Sequence, residues 1–188
     1  ATEDMRFYSH SGIDFISLAR VAFKTLALGN RSQGGGSTIT QQLAKNLFPR
    51  DTAVYSNALS RNGKLVISKL KEWITAVKLE YNYTKEEIIA MYLNIVPYGS
   101  NAYGIKSAAR TFFNKTPAEL SIEEAAMLVG VVNAPTRYSP VRNPENALRR
   151  RNTVLDRMRQ NDFIGRATYD SVVRKPIALD YHPVSHNE

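Results

Sequence analysis

The chain has 188 residues, of which 43% are hydrophobic and 22% charged, a composition typical of a globular domain rather than a disordered or fibrous chain. Its formal charge of +8 favours an anionic partner, such as a phosphorylated substrate, anionic lipid headgroups or nucleic acid. The absence of cysteine excludes disulfides and cysteine metal sites. No run of about 18 apolar residues predicts a transmembrane helix.

The residue pattern is mainly helical, with glycine, proline and asparagine between the segments. The first predicted helix, 12–28, is apolar on more than one side. It is therefore either a buried helix or a segment whose apolar face enters a lipid interface. The polar, turn-rich segment 49–63 is predicted to be a mobile loop. Further helices are predicted over 37–47, 64–81, 84–93, 103–113, 121–132, 143–160 and 167–173.

Capping signals support several of these helix starts. Capping-box sequences occur at 84–87 and 121–124, and Asn143 followed by Pro144 is typical of a first helical turn. No alternating run predicts a sheet, although 175–181 is a candidate for one extended strand.

Two adjacent carboxylates, Glu3 and Asp4, begin the string EDMRFYSHSG. Such a pair is most often solvated. A functional interpretation needs one carboxylate beside the aromatic Phe7 and Tyr8, where desolvation makes it a better proton acceptor. His10 alone is more typical of a core or capping residue. Without an HExxH pattern, the three histidines predict no zinc site.

The string GGGSTITQQLAKN joins a glycine loop to a helix start, an arrangement typical of anion sites. It is not a Walker A loop, because the GK[ST] ending is missing. Ser37, Gln41, Gln42 and Lys45 supply hydroxyl, amide and ammonium groups. Spacing alone leaves two interpretations open, a polar helix beside a flexible loop or a phosphate or sugar site.

A third string, SKLKEWITAVKLE, places Lys69 and Glu72 three residues apart and so on one helix face. The alternative interpretation is a surface ion pair, which contributes little to stability.

Taken in order, these strings resemble the motifs of glycosyltransferase family 51. These are the peptidoglycan glycosyltransferase domains of class A penicillin-binding proteins and of monofunctional transglycosylases. EDMRFYSHSG resembles the first motif, GGSTITQQLAKN the second and KLKE most of the third. IIAMYLNIVPYGSNAYGIKSAA resembles the fourth motif, and EEAAMLVGVVNAPTRYSP the fifth. Five ordered motifs over Glu3 to Pro140 are far more specific than any one of them.

The resemblance implies a mainly α, lysozyme-like helical domain with a larger globular lobe and a smaller membrane-contacting lobe. We expect this domain to cover 1–174, and 175–188 to be a tail or the start of a linker toward a transpeptidase domain. Because the first motif begins at the third residue, we also expect a longer parent protein. The implied location is the outer (periplasmic or extracellular) face of a bacterial cell membrane.

The implied reaction polymerises lipid II into β-1,4-linked glycan with inversion and release of undecaprenyl pyrophosphate. By this resemblance Glu3 is the general base. Glu72 lies near the donor pyrophosphate and acts directly or through a divalent cation. The resemblance does not make a cofactor a requirement, and the candidate is a magnesium or manganese ion at the pyrophosphate. The implied substrate contacts are Asp4, His10, Ser37, Gln41, Gln42, Lys45, Lys69, Asn94 and Asn133.

The implied partners are lipid II, the growing glycan chain, the membrane surface and other cell-wall synthesis proteins, with no nucleic acid. The third motif usually begins with arginine, whereas Ser68 stands there in this chain. One phosphate-binding cation is therefore missing or is replaced, for which the candidates are Lys64, Lys71, Arg50 and Arg61.

Two other functions remain open at this point. A lytic enzyme of the lysozyme-like fold would use one glutamate and soluble glycan. A basic module that binds nucleic acid or membrane would need arginines on one face, for which 149–159 is the candidate segment. Its spacing wraps around the helix, so we interpret it as a solvated face.

Overall fold

The computed structural model describes residues 2–28, 36–48 and 58–183, and their secondary structure is mainly helical, as predicted. Two short 3-10 helices also occur, at Phe7–Ser9 and Pro117–Glu119. An antiparallel hairpin joins β1 (Pro97–Gly99) to β2 (Ala102–Tyr103). The α-helices are α1 (Phe15–Leu28), α2 (Ile39–Leu47), α3 (Ala58–Asn82), α4 (Lys85–Ile95), α5 (Ile105–Phe113), α6 (Ile122–Val132), α7 (Pro144–Gln160) and α8 (Arg166–Val172).

The chain divides into two compact units, and the boundary falls within α4. The N-terminal unit is Glu3–Tyr92, and the C-terminal unit is Ala1–Thr2 with Leu93–Glu188. In the described residues, no helix is long and apolar enough to span a bilayer.

In the N-terminal unit α2 packs against α3. The first string passes so close to α3 that only glycine fits at position 12. Gly12 has φ +88°, and a Cβ there would lie 2.8 Å from the carbonyl carbon of Ala76. This contact fixes the end of the first string against the helix that carries Glu72. Among the residues of this unit whose burial is described, the buried hydrophobic ones are Phe7, Leu43, Ala44, Ala76, Ile88 and Tyr92.

In the C-terminal unit α6 packs along α7, and α7 contacts α8. One buried cluster joins Ala126, Val154, Leu155 and Val172. The segment after α8 also packs here, because the Asp180 amide donates to Phe112 O at 3.1 Å. It forms no strand, so that prediction is wrong. Its amides bond to carbonyls at the end of α5 rather than to a sheet.

At two helix starts the local sequence signal predicted the cap correctly. Both capping boxes form: Glu87 accepts from the Thr84 amide, and Glu124 accepts from the Ser121 amide, each at 2.8 Å. The predicted helix over 143–160 also forms. However, Asn143 does not cap it, because its side-chain amide donates to Thr136 O at 3.0 Å instead.

The starts of three other helices differ from the predicted ones. Helix α1 begins at Phe15 rather than at 12, because Gly12 is left-handed and Asp14 provides the cap. Residues 58–63 of the predicted mobile loop belong to α3, and 49–57 lie outside the described residues. Helix α5 begins at Ile105, since the two residues before Gly104 pair with β1. Strands of two or three residues are too short to leave an alternating pattern.

The described part of α1 is not a buried helix. The side chains of Phe15, Ile16 and Phe23 are 69%, 53% and 70% exposed. Of the two interpretations that the sequence left open for this helix, burial is therefore wrong for these side chains.

Candidate active site

The N-terminus of α2 connects the first two strings. Thr38 is its N-cap: its hydroxyl oxygen accepts from the Gln41 amide at 3.1 Å and donates to Gly12 O at 2.7 Å. The Ile39 amide donates to Asp4 Oδ2 at 3.1 Å. A carboxylate at this position complements the partial positive charge of the helix N-terminus.

Asp4 is also bonded to His10. The imidazole Nε2 lies 2.9 Å from Asp4 Oδ2, and both side chains are 4% exposed. With these two bonds, Asp4 is held in one orientation between His10 and α2. Glu3, the residue immediately before Asp4 in the chain, is half-buried. The arrangement therefore separates the two adjacent carboxylates into a fixed one and a more accessible one.

A second cluster joins the residue before the α2 cap to α3. Lys69 Nζ lies 2.8 Å from Glu72 Oε2 and 3.1 Å from Ser37 Oγ. Glu72 is only 6% exposed, so the interpretation of a surface ion pair is wrong. Lys69 keeps about a third of its side chain exposed, at 32%. The cluster therefore presents an ammonium group and a hydroxyl beside a buried carboxylate.

The remaining predicted contacts of α2 differ in their exposure. Gln41 is 1% exposed, and neither atom of its side-chain amide has a hydrogen-bond partner among the described residues. The Gln42 Oε1 atom accepts from the Tyr92 hydroxyl at 2.9 Å. Lys45 is exposed in the last turn. Of these three, Lys45 is the most exposed, Gln42 is half-buried and Gln41 is buried.

Asn94 and Asn133 belong to the C-terminal unit, whereas the clusters described above are made by the N-terminal unit alone. Asn94 is exposed in the last turn of α4, and Asn133 is exposed at the C-cap of α6. Of the proposed replacements for the missing arginine, the exposed Lys71 is the one whose side chain is described; those of Lys64, Arg50 and Arg61 are not.

The sequence indicated hydroxyls at the start of α2 but not the tertiary hydrogen bonds by which they hold these strings together. Thr38 and Thr40 are both buried and hydrogen-bonded. A threonine before an apolar periodic run is a known N-cap signal, which would have found Thr38. Glu80 and Lys85, which form an ion pair with 2.6 Å between Nζ and Oε2, were also missed as site residues. Their pairing joins two helices, so local spacing does not predict it.

Comparisons with known proteins identify the family of the chain. A family model described as Transglycosylase matches residues 1–159. The chain is 43% identical over 179 residues to penicillin-binding protein 1A of Aquifex aeolicus, covering 95% of this chain and 23% of that protein. It is 39% identical to penicillin-binding protein 1F of Bacillus subtilis over 188 residues, covering 100% of this chain and 24% of that protein.

The chain belongs to the transglycosylase family. A crystal structure of penicillin-binding protein 1A from Haemophilus influenzae matches this domain with a TM-score of 0.50 and 36% identity, covering 52% of this chain and 15% of that chain. The transglycosylase domain spans about a quarter of the length of the curated relatives named above. The predicted enzyme class, a peptidoglycan glycosyltransferase domain of the class A penicillin-binding protein type, is confirmed.

The arginine-rich segment of the transglycosylase domain is not simply a solvated face. Arg151 is 1% exposed, and its guanidinium donates to Val173 O at 3.1 Å and to Lys175 O at 2.7 Å. Arg149, by contrast, is exposed. The interpretation is therefore wrong for Arg151, because the arginine that faces the C-terminal segment supplies donors to carbonyls beyond α8.

The donor set around Glu72 does not fit a resident divalent cation. Among residues 2–28, 36–48 and 58–183, no three carboxylate, imidazole or thiol side chains form a metal-binding group. The Glu72 carboxylate is instead paired with the Lys69 ammonium, with 2.8 Å between Nζ and Oε2, whereas a divalent cation would need several oxygen ligands there.

Proposed function

We propose that this transglycosylase domain polymerises lipid II. The growing chain, as donor, carries undecaprenyl pyrophosphate on its anomeric carbon, and the 4-hydroxyl of an acceptor lipid II attacks that carbon. The O4–C1 bond forms while the C1–O bond to pyrophosphate breaks. The electron pair leaves with the pyrophosphate, and the hydroxyl proton passes to a base. Attack from the face opposite the leaving group gives inversion.

Glu3 is the base in this proposal. The hydrogen bonds of the neighbouring Asp4 to His10 and to the α2 amide fix the backbone from which Glu3 extends. A fixed base whose carboxylate reaches solvent and substrate avoids an entropic cost in the transition state. Asp4 and His10 act here by positioning the base rather than by direct contact with the sugar.

The single observation that carries the proposal is the Ser37–Lys69–Glu72 cluster at the start of α2. Negative charge develops on the pyrophosphate as it leaves, and a preorganised ammonium stabilises that charge most in the transition state. The buried Glu72 holds Lys69 in place. Ser37 and the exposed Lys45 supply further donors for phosphate oxygens. The half-buried Gln42 provides an amide group for the donor sugar, and the buried Gln41 does so after its side chain rearranges.

Asn94 and Asn133, in the C-terminal unit, are proposed to contact the substrate or to support its binding. The partners proposed for the whole protein are the growing glycan chain, other cell-wall synthesis proteins and a covalently linked transpeptidase domain. We place the domain at the outer face of a bacterial membrane. The exposed Phe15, Ile16 and Phe23 of α1 support a lipid-facing surface there.

The test is polymerisation of purified lipid II in detergent by this chain, by Glu3→Gln and by Glu72→Gln. We expect long glycan from the parent, a loss of about a hundredfold to ten-thousandfold for Glu3→Gln, and about a hundredfold to a thousandfold for Glu72→Gln. The exposed Glu86, in the first turn of α4, provides a matched control: Glu86→Gln should behave as the parent does.

A lytic enzyme would give a different result in the same assay. If the parent shortens preformed glycan and ignores lipid II, the polymerase proposal is wrong. Retention of full activity by Glu72→Gln would remove Glu72 from the mechanism while leaving Glu3 as a single catalytic carboxylate.

A further inference from the structure

We propose that Lys85 and Glu80 are positioning residues of the candidate site. Their ion pair ties together the segments that carry the base and the start of α2. The inference rests on the proposed function only in treating Glu3 as the base. Its structural content stands on contacts within the N-terminal unit.

Lys85 contacts the first string at two points. Its ammonium donates to the His10 carbonyl oxygen at 2.6 Å and lies 4.4 Å from the centroid of the Phe7 ring. Its third partner is Glu80, with 2.6 Å between Nζ and Oε2. One side chain from the start of α4 therefore restrains the backbone of His10 and the ring three residues before it.

Glu80 extends the same connection to α2. Its Oε1 accepts from the Thr40 hydroxyl at 2.5 Å, and Thr40 is fully buried in the first turn of α2. The Glu80 side chain is 5% exposed. The pair thus links four segments: the first string, the first turn of α2, the end of α3 and the start of α4.

The connection reaches the base through two further bonds. His10, held by its carbonyl, bonds through Nε2 to Asp4, and Asp4 also accepts from the amide at the start of α2. Without a donor to the His10 carbonyl, the His10 imidazole and the Asp4 carboxylate could shift together. Glu3 would shift with them, because it is joined to Asp4 by a peptide bond. A shift of about 1 Å in a reacting group can cost a hundredfold in rate.

A positioning role and a merely stabilising role predict different results for a variant that lacks the ion pair. A buried ion pair contributes little net stability, because desolvation offsets the attraction, and apolar replacement of both partners is often neutral. The double variant Glu80→Met/Lys85→Met should therefore fold. It would nevertheless lack the polar restraints on His10 and Thr40.

The experiment compares lipid II polymerisation by the parent, Lys85→Met, Lys85→Arg and the double variant. For Lys85→Met and the double variant we expect kcat to fall about tenfold to a hundredfold while KM changes little. Lys85→Arg should recover most of the rate, since arginine supplies donors to both Glu80 and the His10 carbonyl. Thermal unfolding of each variant measures the folded fraction. Lys115→Met is the matched control, because it breaks a 2.7 Å ion pair in the C-terminal unit.

A second readout does not depend on activity. The ring nitrogen signals of His10, assigned in NMR spectra by comparison with His10→Gln, should move in Lys85→Met and return in Lys85→Arg. Unmoved His10 signals, or a kcat that falls only with the folded fraction, would overturn the positioning role. If the parent does not polymerise lipid II, the proposed function fails, and the His10 signals still decide the positioning role.

Discussion

The two compact units of this domain bury different kinds of side chain. Among the described residues, six of nine buried polar or charged side chains lie in the N-terminal unit, whereas most buried hydrophobic ones lie in the C-terminal unit. The exposed large hydrophobic side chains show the opposite distribution, since most of them belong to the N-terminal unit. The unit with fewer apolar residues in its core is therefore the one with more apolar residues on its surface.

The catalytic role proposed for the N-terminal unit accounts for this difference. Buried polar groups cost free energy unless they are hydrogen-bonded, so a unit that keeps several of them gains less stability from its interior. In return, their bonds hold donors and carboxylates in fixed directions, as catalysis on a charged substrate requires. Among its described residues, the C-terminal unit has an apolar core and one buried charged side chain, Arg151, whose partners are backbone carbonyls and Asn152.

The largest expected effect on stability comes from Arg151 in the C-terminal unit. Arg151→Met leaves the carbonyls of Val173, Lys175 and Pro176 without this donor, and the free energy of unfolding should fall by about 3 kcal/mol. Urea denaturation measures the change. Arg149→Met, at an exposed position, is the control and should change it by less than about 0.5 kcal/mol. Equal losses for the two variants would mean that the buried hydrogen bonds of Arg151 contribute nothing to the free energy of unfolding.

A smaller effect is expected at Asp14 in the N-terminal unit. Its carboxylate caps α1, accepting from the Ile16 and Ser17 amides at 3.1 Å, and lies 3.5 Å from Arg6 Nε. Burial alone would raise the pKa of Asp14, but the hydrogen bonds from Ser17 and the charge of Arg6 together lower it below its ordinary value. Asp14→Ala should lower the free energy of unfolding by about 1–2 kcal/mol at neutral pH.

The pH dependence of that loss follows from the direction of the shift. Because the pKa is lower in the folded state, the ionised carboxylate stabilises the fold above the pKa of the unfolded chain, about 3.9. This contribution disappears as pH falls through the folded pKa. The difference between parent and Asp14→Ala should therefore shrink when unfolding is measured at pH 3. Asp170→Ala, at a half-exposed carboxylate, is the control, and a difference independent of pH would contradict the role given to charge.

Local signals in the sequence predicted helix starts and one side-chain contact of the candidate site. Thr84–Glu87 and Ser121–Glu124 form capping boxes because the groups that bond are three residues apart. The spacing of Lys69 and Glu72 predicted their contact for the same reason. Features set by neighbours within a few residues can be found without a structure.

Features that depend on distant segments could not be found in this way. The burial of Arg151 depends on carbonyls more than twenty residues later, and the two arginines just before it in the sequence are exposed or half-buried. The contact between Lys85 and the His10 carbonyl joins residues 75 positions apart. Asn143 carried a strong N-cap signal, yet a tertiary acceptor, Thr136 O, takes its side chain. In each case a long-range partner decides the role of the side chain.

The smallest expected effect on stability concerns the exposed apolar side chains of α1. Phe15 and Phe23 are 69% and 70% exposed, so Phe15→Ser/Phe23→Ser should change the free energy of unfolding by less than about 0.5 kcal/mol. If they enter a lipid surface, each removed ring should weaken binding to vesicles of anionic lipid by about tenfold or more.

Phe163, 68% exposed in the C-terminal unit, offers a control of the same residue type and exposure. Phe163→Ser should leave vesicle binding unchanged, as measured by co-sedimentation at fixed salt. Equal weakening by Phe163→Ser and by the α1 variant would mean that exposed apolar side chains bind lipid wherever they occur. The uneven distribution of apolar surface between the two units would then not define a membrane-facing side. Weakening confined to α1 would assign that surface to the unit that carries the proposed catalytic carboxylates.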